Sequence, residues 1–138
     1  QFHFHAPSEN EIDGQTYPLE GHFVYKTDNG KITVVSVLYN YGDENQALKQ
    51  IWDKMPQAAN TETELSQPIS LDDFYPEDKD YYNFEGSLTT PPCTEGVNWI
   101  VFKNQETVSK EQVEKFTQTL GFENNRPIQD TNGRQIKE

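Results

Sequence analysis

The run ITVVSVLY, from Ile32 to Tyr39, is the feature that most narrows the folds open to this chain. Its β-branched and aromatic residues favour an extended strand. TDNGK, at Thr27–Lys31, predicts a hairpin turn before it, with Asn29-Gly30 at the bend. Four further segments also read as strands: residues 1–6, Tyr17–Tyr25, Asp80–Gly86 and Val97–Lys103. The chain is therefore predicted to be strand-dominated.

Two helices interrupt the strands. The first is predicted over Glu44–Met55 from apolar residues at helical spacing, with Pro56 ending it. The second is predicted to begin at a capping box formed by Ser109 and Gln112 and to end at Gly121. Strands and helices do not alternate as βαβ units, and no internal repeat is present.

Charge and hydropathy narrow the possible partners. The 138 residues carry a formal net charge of −12 and no cluster of Lys and Arg. We therefore expect neither nucleic acid nor an anionic membrane surface as a partner. No apolar run approaches the length of a membrane span.

The chain has three histidines, and two of them open it in QFHFH. Strand alternation places His3 and His5 on one face. His22 lies on the next predicted strand, and antiparallel pairing of the two strands would bring all three imidazoles to one point. Three neutral nitrogens suit Zn²⁺ and leave its fourth tetrahedral position open, as in catalytic sites. The alternative is that these are ordinary strand histidines.

The beginning of the chain and its one cysteine both suggest a longer protein. Gln1–His5 reads as the middle of a strand, so we expect a processed, truncated or partial piece. A signal peptide would then lie upstream and could not be seen. Cys93 is either an inert small apolar residue or, in an exported protein, one with a partner outside this sequence.

The segment GSLTTPPCTEG, from Gly86 to Gly96, decides between these alternatives. Together with QFHFH, SEN, LEGHFV and NNRPIQ, in this order and spacing, it resembles the α-class carbonic anhydrases. The resemblance covers essentially the whole chain but only the C-terminal part of that family's domain. It implies an α+β fold with a central twisted, largely antiparallel β-sheet and short peripheral helices. Residues 1–138 would then be a single partial domain.

The resemblance also implies a reaction and its residues. Zinc held by His3, His5 and His22 would supply the hydroxide that reversibly hydrates carbon dioxide to bicarbonate and a proton. Thr89 would orient that hydroxide by accepting a hydrogen bond from it and donating its own to Glu9. The other positions that match the family are Thr90 on the bicarbonate side; Gln1, Glu20 and the Asn124 carbonyl behind the three imidazoles; and Val24, Val34, Leu88, Val97 and Trp99 around the substrate.

Further expectations come from the same resemblance. Cys93 matches a disulfide cysteine of exported members, which favours a periplasmic or extracellular location. Sulfonamide-type inhibitors are expected to bind, and a homodimer is possible in bacterial-type members. No histidine remains to act as a proton shuttle. Asn10 and Gly21 depart from the family pattern, and Gly21 is expected to loosen its strand. The alternative function is a catalytically inactive, carbonic-anhydrase-related binding module.

Overall fold

The computed structural model describes all residues from 1 to 138, in one sheet flanked by helices. The strands are β1 (Phe2–His5), β2 (Leu19–Lys26), β3 (Ile32–Tyr41), β4 (Tyr81–Ser87), β5 (Glu95–Phe102) and β6 (Glu106–Val108). The helices are α1 (Gln46–Trp52) and α2 (Lys110–Leu120), and a short 3₁₀ helix covers Leu71–Phe74. The strand-dominated α+β fold predicted from the sequence is confirmed.

The sheet runs in the order β1-β2-β3-β5-β4, and β6 pairs with β3. The pairs β1–β2, β2–β3 and β4–β5 are antiparallel, as the largely antiparallel prediction requires. Two pairings at β3 are parallel, with β5 and with β6, and the sequence pattern does not indicate them. Strand β6 has only three residues, too few to show a period of two.

The first helix is shorter than the predicted Glu44–Met55. It begins after Asn45, whose side chain accepts a hydrogen bond from the Leu48 amide and so satisfies a free N–H of the first turn. It ends at Trp52, four residues before Pro56. The predicted capping box of Ser109 and Gln112 is present in α2.

The two helix beginnings are tied to each other. The Gln112 side chain accepts from the Asn45 amide at 2.9 Å and donates to the Asn45 carbonyl at 2.8 Å. The Trp52 indole donates to the Gln112 carbonyl at 2.8 Å. These buried groups are therefore satisfied, and the helices are fixed side by side against the sheet. Neither helix has the length and apolar character that a bilayer crossing demands.

The sheet separates two apolar cores. On the helix face, Phe4, Phe23 and Tyr39 pack with Trp52 and Phe116 of the helices. On the opposite face, β3 and β5 contribute a smaller core. Its buried members are Tyr17, Val34, Leu38, Val97, Trp99 and Val101. The alternation of side chains across β1, β2 and β3 thus keeps the packing against the helices apart from the face that carries His22.

Gly21 does not leave a loose point in β2, contrary to the expectation from the sequence. It is buried and lies opposite Phe4 in the β1–β2 register. A Cβ at this position would lie 3.0 Å from Phe4 Cε1 and 3.3 Å from Phe4 Cδ1. The absent side chain makes room for the Phe4 ring, which contacts Trp52 edge-on with centroids 5.0 Å apart.

We expect Gly21→Ala to destabilise the protein by about 1–3 kcal/mol, because the added methyl overpacks the core against Phe4. In a Phe4→Leu background the same substitution should cost less, since the clashing ring is gone. Urea unfolding of the four proteins in this cycle measures the coupling. Equal costs of Gly21→Ala in both backgrounds would contradict the assigned contact.

Candidate metal centre

The three histidines meet on the face of the sheet opposite the helices. His3 and His22 are direct partners in the antiparallel register of β1 and β2, and His5 lies two residues further along β1. The ring centroids are 5.4 Å apart for His3 and His22 and 4.7 Å apart for His5 and His22. One nitrogen from each ring lies within 4.8 Å of the other two. The convergence expected from strand alternation is present.

Each imidazole has an acceptor at its outer nitrogen. His3 Nδ1 lies 2.9 Å from Gln1 Oε1, and His5 Nδ1 lies 2.9 Å from the Asn124 carbonyl oxygen. His22 Nε2 lies 2.9 Å from Glu20 Oε1, in the close contact of an ion pair rather than the geometry of a hydrogen bond. Because these oxygens only accept, each ring carries its proton on the outer nitrogen and leaves the inner one free.

The inner nitrogens fit a metal ion. His5 Nε2 is buried and has no hydrogen-bond partner, which is costly unless something occupies the space between the rings. Burial, together with the neighbouring His22 and His5, lowers the pKa of His3 to about 4. At neutral pH its ring is therefore uncharged, and its inner lone pair is available to a cation. Three imidazole nitrogens form a donor set that suits zinc.

Glu20 is the fully buried carboxylate behind His22. Its Oε2 accepts from the backbone amides of Glu9 at 2.7 Å and Asn10 at 2.9 Å. Its Oε1 accepts from the side chains of Asn10 and Ser36. Burial alone would raise the pKa of Glu20, but the His22 imidazole and these side-chain hydrogen bonds outweigh it and lower the pKa to about 2. Glu20 is consequently a fixed, charged acceptor.

Asn124 fastens a distant loop to the edge of β1. Its side chain accepts from the Ala6 amide at 2.9 Å and donates to the Phe4 carbonyl at 2.9 Å. Its own carbonyl accepts from His5, 119 residues away in sequence. The side chain takes the hydrogen bonds that a neighbouring strand would make, and in doing so it fixes the carbonyl behind His5.

Thr89 and Glu9 line the same small cavity, of about 90 Å³. Glu9 Oε1 accepts from the Arg126 backbone amide at 2.6 Å, whereas Glu9 Oε2 is buried without a partner. The structure contains no hydrogen bond between Thr89 and Glu9, so the proton relay between them stays a prediction. Thr90 is exposed, and its carbonyl accepts from the Cys93 amide in the following turn.

The five residues expected around the substrate lie in one apolar cluster. Val34, Val97 and Trp99 are buried members of the core on the histidine side, and Val24 and Leu88 pack against it. The Trp99 ring contacts His22 edge-on, with centroids 4.9 Å apart. An apolar wall therefore borders the imidazole cluster.

The remaining expectation concerns Cys93. It is the only cysteine of the chain, is partly exposed, and adopts a φ of 57° after the Pro91-Pro92 pair. Its pairing in a disulfide stays a prediction.

Sequence reasoning missed several groups at this site. The side-chain contacts of Asn124, Asn10 and Ser36 and the Arg126 amide on Glu9 were not anticipated. One signal was available, because Ser36 is the one hydroxyl-bearing residue in the interior of the apolar run VVSVLY. The others depend on backbone positions far apart in sequence.

Three converging imidazoles with one free nitrogen each, two of them buried and one half-buried, form a donor set that is typical of mononuclear zinc sites. The chain belongs to a known family: residues 1–138 match the family described as "Eukaryotic-type carbonic anhydrase". The resemblance seen in the sequence is thereby confirmed.

Relatives and solved structures agree with this assignment. The chain is 49% identical over 138 residues to a carbonic anhydrase of Neisseria gonorrhoeae, covering 100% of this chain and 54% of that protein. It is 47% identical over 136 residues to one of Pectobacterium atrosepticum, covering 99% and 56%. The α-carbonic anhydrase of Thermovibrio ammonificans, solved with the inhibitor sulfanilamide, superposes with a TM-score of 0.97 at 48% identity, over 99% of this chain and 61% of that one. The chain thus spans about half the length of these curated relatives.

We expect Asn124→Ala to lower the free energy of unfolding by about 1–3 kcal/mol, because it removes two hydrogen bonds and leaves the Ala6 amide without its acceptor. The matched control is Asn125→Ala, since the neighbouring Asn125 makes no side-chain hydrogen bond in this structure. Guanidinium unfolding of both variants measures the difference. Equal stability of the two would contradict the role of the Asn124 side chain.

Proposed function

We propose that the protein carrying this chain is a zinc enzyme that reversibly hydrates carbon dioxide to bicarbonate and a proton. The observation that carries the proposal is the convergence of three inner imidazole nitrogens within 4.8 Å beside an apolar wall. Membership of the carbonic anhydrase family supports the same reaction.

His3, His5 and His22 are the residues that would hold zinc. When bound by three neutral imidazoles, zinc lowers the pKa of water to about 7, a value established for carbonic anhydrases as a class, and so supplies a nucleophile near neutral pH. Gln1 and the Asn124 carbonyl would orient His3 and His5 by accepting their outer N–H groups, and the charged Glu20, 2.9 Å from His22 Nε2, would keep the His22 proton on that nitrogen. All three ligands are thus supplied and oriented by this chain.

Glu9 and Thr89 have the chemistry to align the nucleophile. Glu9 Oε2 is a buried acceptor without a donor in the cavity that Thr89 also lines. If the Thr89 hydroxyl donates to this carboxylate, it can only accept from the attacking hydroxyl group, and the lone pair of that group is aimed at the substrate carbon. The bicarbonate product would then leave past Thr90.

Carbon dioxide is uncharged and has no dipole, so its binding surface should be apolar. Val24, Val34, Leu88, Val97 and Trp99 belong to one cluster on the histidine side of the sheet. They would hold the substrate beside the imidazoles in apolar surroundings rather than in water. Sulfonamide-type inhibitors, such as the one seen in the Thermovibrio relative, are proposed to bind at the same place.

The second candidate is a carbonic-anhydrase-related binding module without activity. Modules that have lost the metal lack one or more of the imidazoles. Here all three are present, each with its acceptor, so the enzyme is the proposal that the observations favour.

The whole protein is expected to bind one equivalent of zinc and to accelerate hydration of carbon dioxide in stopped-flow measurements. Removal of zinc with a chelator should abolish the activity, and added zinc should restore it. Sulfanilamide should inhibit the restored enzyme. A zinc-loaded sample that does not hydrate carbon dioxide faster than buffer would refute the proposed enzymatic function and favour the binding module.

Thr89→Val is expected to reduce kcat/KM on the order of 100-fold, because the nucleophile loses its alignment. Thr89→Ser keeps the hydroxyl and should retain most of the activity. Zinc content, measured in parallel, should stay at one equivalent in both variants. Equal rates of the Val and Ser variants would show that the Thr89 hydroxyl has no such role.

We also propose a periplasmic or extracellular location, with Cys93 in a disulfide to a cysteine outside this chain, and assembly as a homodimer. The support is Cys93 at a matching position of the family motif and the bacterial relatives. Alkylation of the purified protein before and after reduction tests the disulfide, light scattering tests the dimer through its mass, and cell fractionation tests the location.

A further inference from the structure

Ser36 lies in the middle of β3, between strands on both sides, and is completely buried. Its neighbours in the run are apolar, and a hydroxyl in such a place costs free energy unless it is hydrogen-bonded. On packing grounds alone an alanine or valine would serve better at this position. Packing therefore does not explain why a serine occupies this position.

The partner of Ser36 is Glu20, on the adjacent strand. The Ser36 hydroxyl donates to Glu20 Oε1, and a charged carboxylate offers no proton in return. In the β2–β3 register Ser36 lies directly opposite His22. The hydroxyl is thus on the same face as the imidazole whose orientation Glu20 controls.

The two oxygens of Glu20 are held in different ways. Oε2 accepts from two backbone amides, which fix the position of the carboxylate as a whole. Oε1 is the oxygen that lies 2.9 Å from His22 Nε2, and it receives only side-chain donors, from Asn10 and Ser36. The orientation of the oxygen that meets His22 consequently depends on side chains.

We propose that Ser36 is a positioning residue for the metal centre. By donating to Glu20 Oε1, it holds that charged oxygen within 2.9 Å of His22 Nε2, so that the His22 proton stays on Nε2 and Nδ1 is free for zinc. This role rests on the proposed zinc function, and it concerns only the orientation of one ligand. The one hydrogen bond of the Ser36 side chain is to Glu20 Oε1, so Ser36 acts on the site through Glu20.

The test compares three variants of the whole protein. Ser36→Ala removes the hydroxyl, and Ser36→Thr keeps it. Thr33→Val removes a hydroxyl from the same strand on the opposite face, where it only accepts from Asn98. Two quantities are measured for each: the zinc dissociation constant by chelator competition, and the NMR resonance of the His22 Nε2–H proton in the zinc-loaded protein.

Ser36→Ala should raise the zinc dissociation constant on the order of tenfold, the lower end of the range for groups behind metal ligands. It should also move the His22 Nε2–H resonance upfield, which a loss of packing alone would not do. Ser36→Thr and Thr33→Val should leave both quantities near those of the unaltered protein.

Three results would overturn the proposal. Unchanged zinc affinity in Ser36→Ala would show that the hydroxyl does not matter. An equal loss in Ser36→Ala and Ser36→Thr would assign the effect to packing. Failure of the unaltered protein to bind zinc would refute the proposed function, and this inference with it, whereas normal binding with an unaffected Ser36→Ala variant refutes the inference alone.

Discussion

The antiparallel register between β1 and β2 is the constraint on which the rest of the site depends. It places His3 opposite His22 and His5 opposite Glu20. Side chains alternate with a period of two, so a slip by one residue would turn the histidines of one strand toward the helices. The same slip would carry Phe2 and Phe4 to the histidine side, where no helix packs against them. The apolar and polar patterns of the two strands therefore specify the same pairing.

The helix face contributes to the site although it contains none of the site residues. Phe2 stacks on Phe23 with centroids 5.4 Å apart, and Phe4 fills the space above Gly21. These contacts hold the two histidine-bearing strands together from behind. Polar groups on the other face can then be arranged for chemistry, because they are not needed to supply the apolar burial that keeps the sheet intact.

The sequence predicted the parts of this structure that depend on local pattern. Alternation in FHFH and LEGHFV was sufficient to predict the convergence of three imidazoles, and capping chemistry located α2 at Ser109. The parallel neighbours of β3 could not be predicted, because no sequence pattern in or near β3 indicates which distant strand pairs with it. The two side-chain hydrogen bonds of Asn124 could not be predicted for the same reason, because their partners lie far away in the sequence. The roles of Thr89 and Glu9 came from resemblance to a family rather than from physical chemistry, and their hydrogen bond is absent from the structure.

The clamp made by Asn124 has a consequence for the order in which the site is completed during synthesis. The ribosome releases β1 long before it releases residue 124, which supplies the acceptor behind His5 and covers the edge of β1. Until that late segment emerges, the nascent chain has an exposed strand edge and an incompletely supported imidazole. The geometry of the imidazole cluster is therefore completed only after nearly all of this chain has been translated.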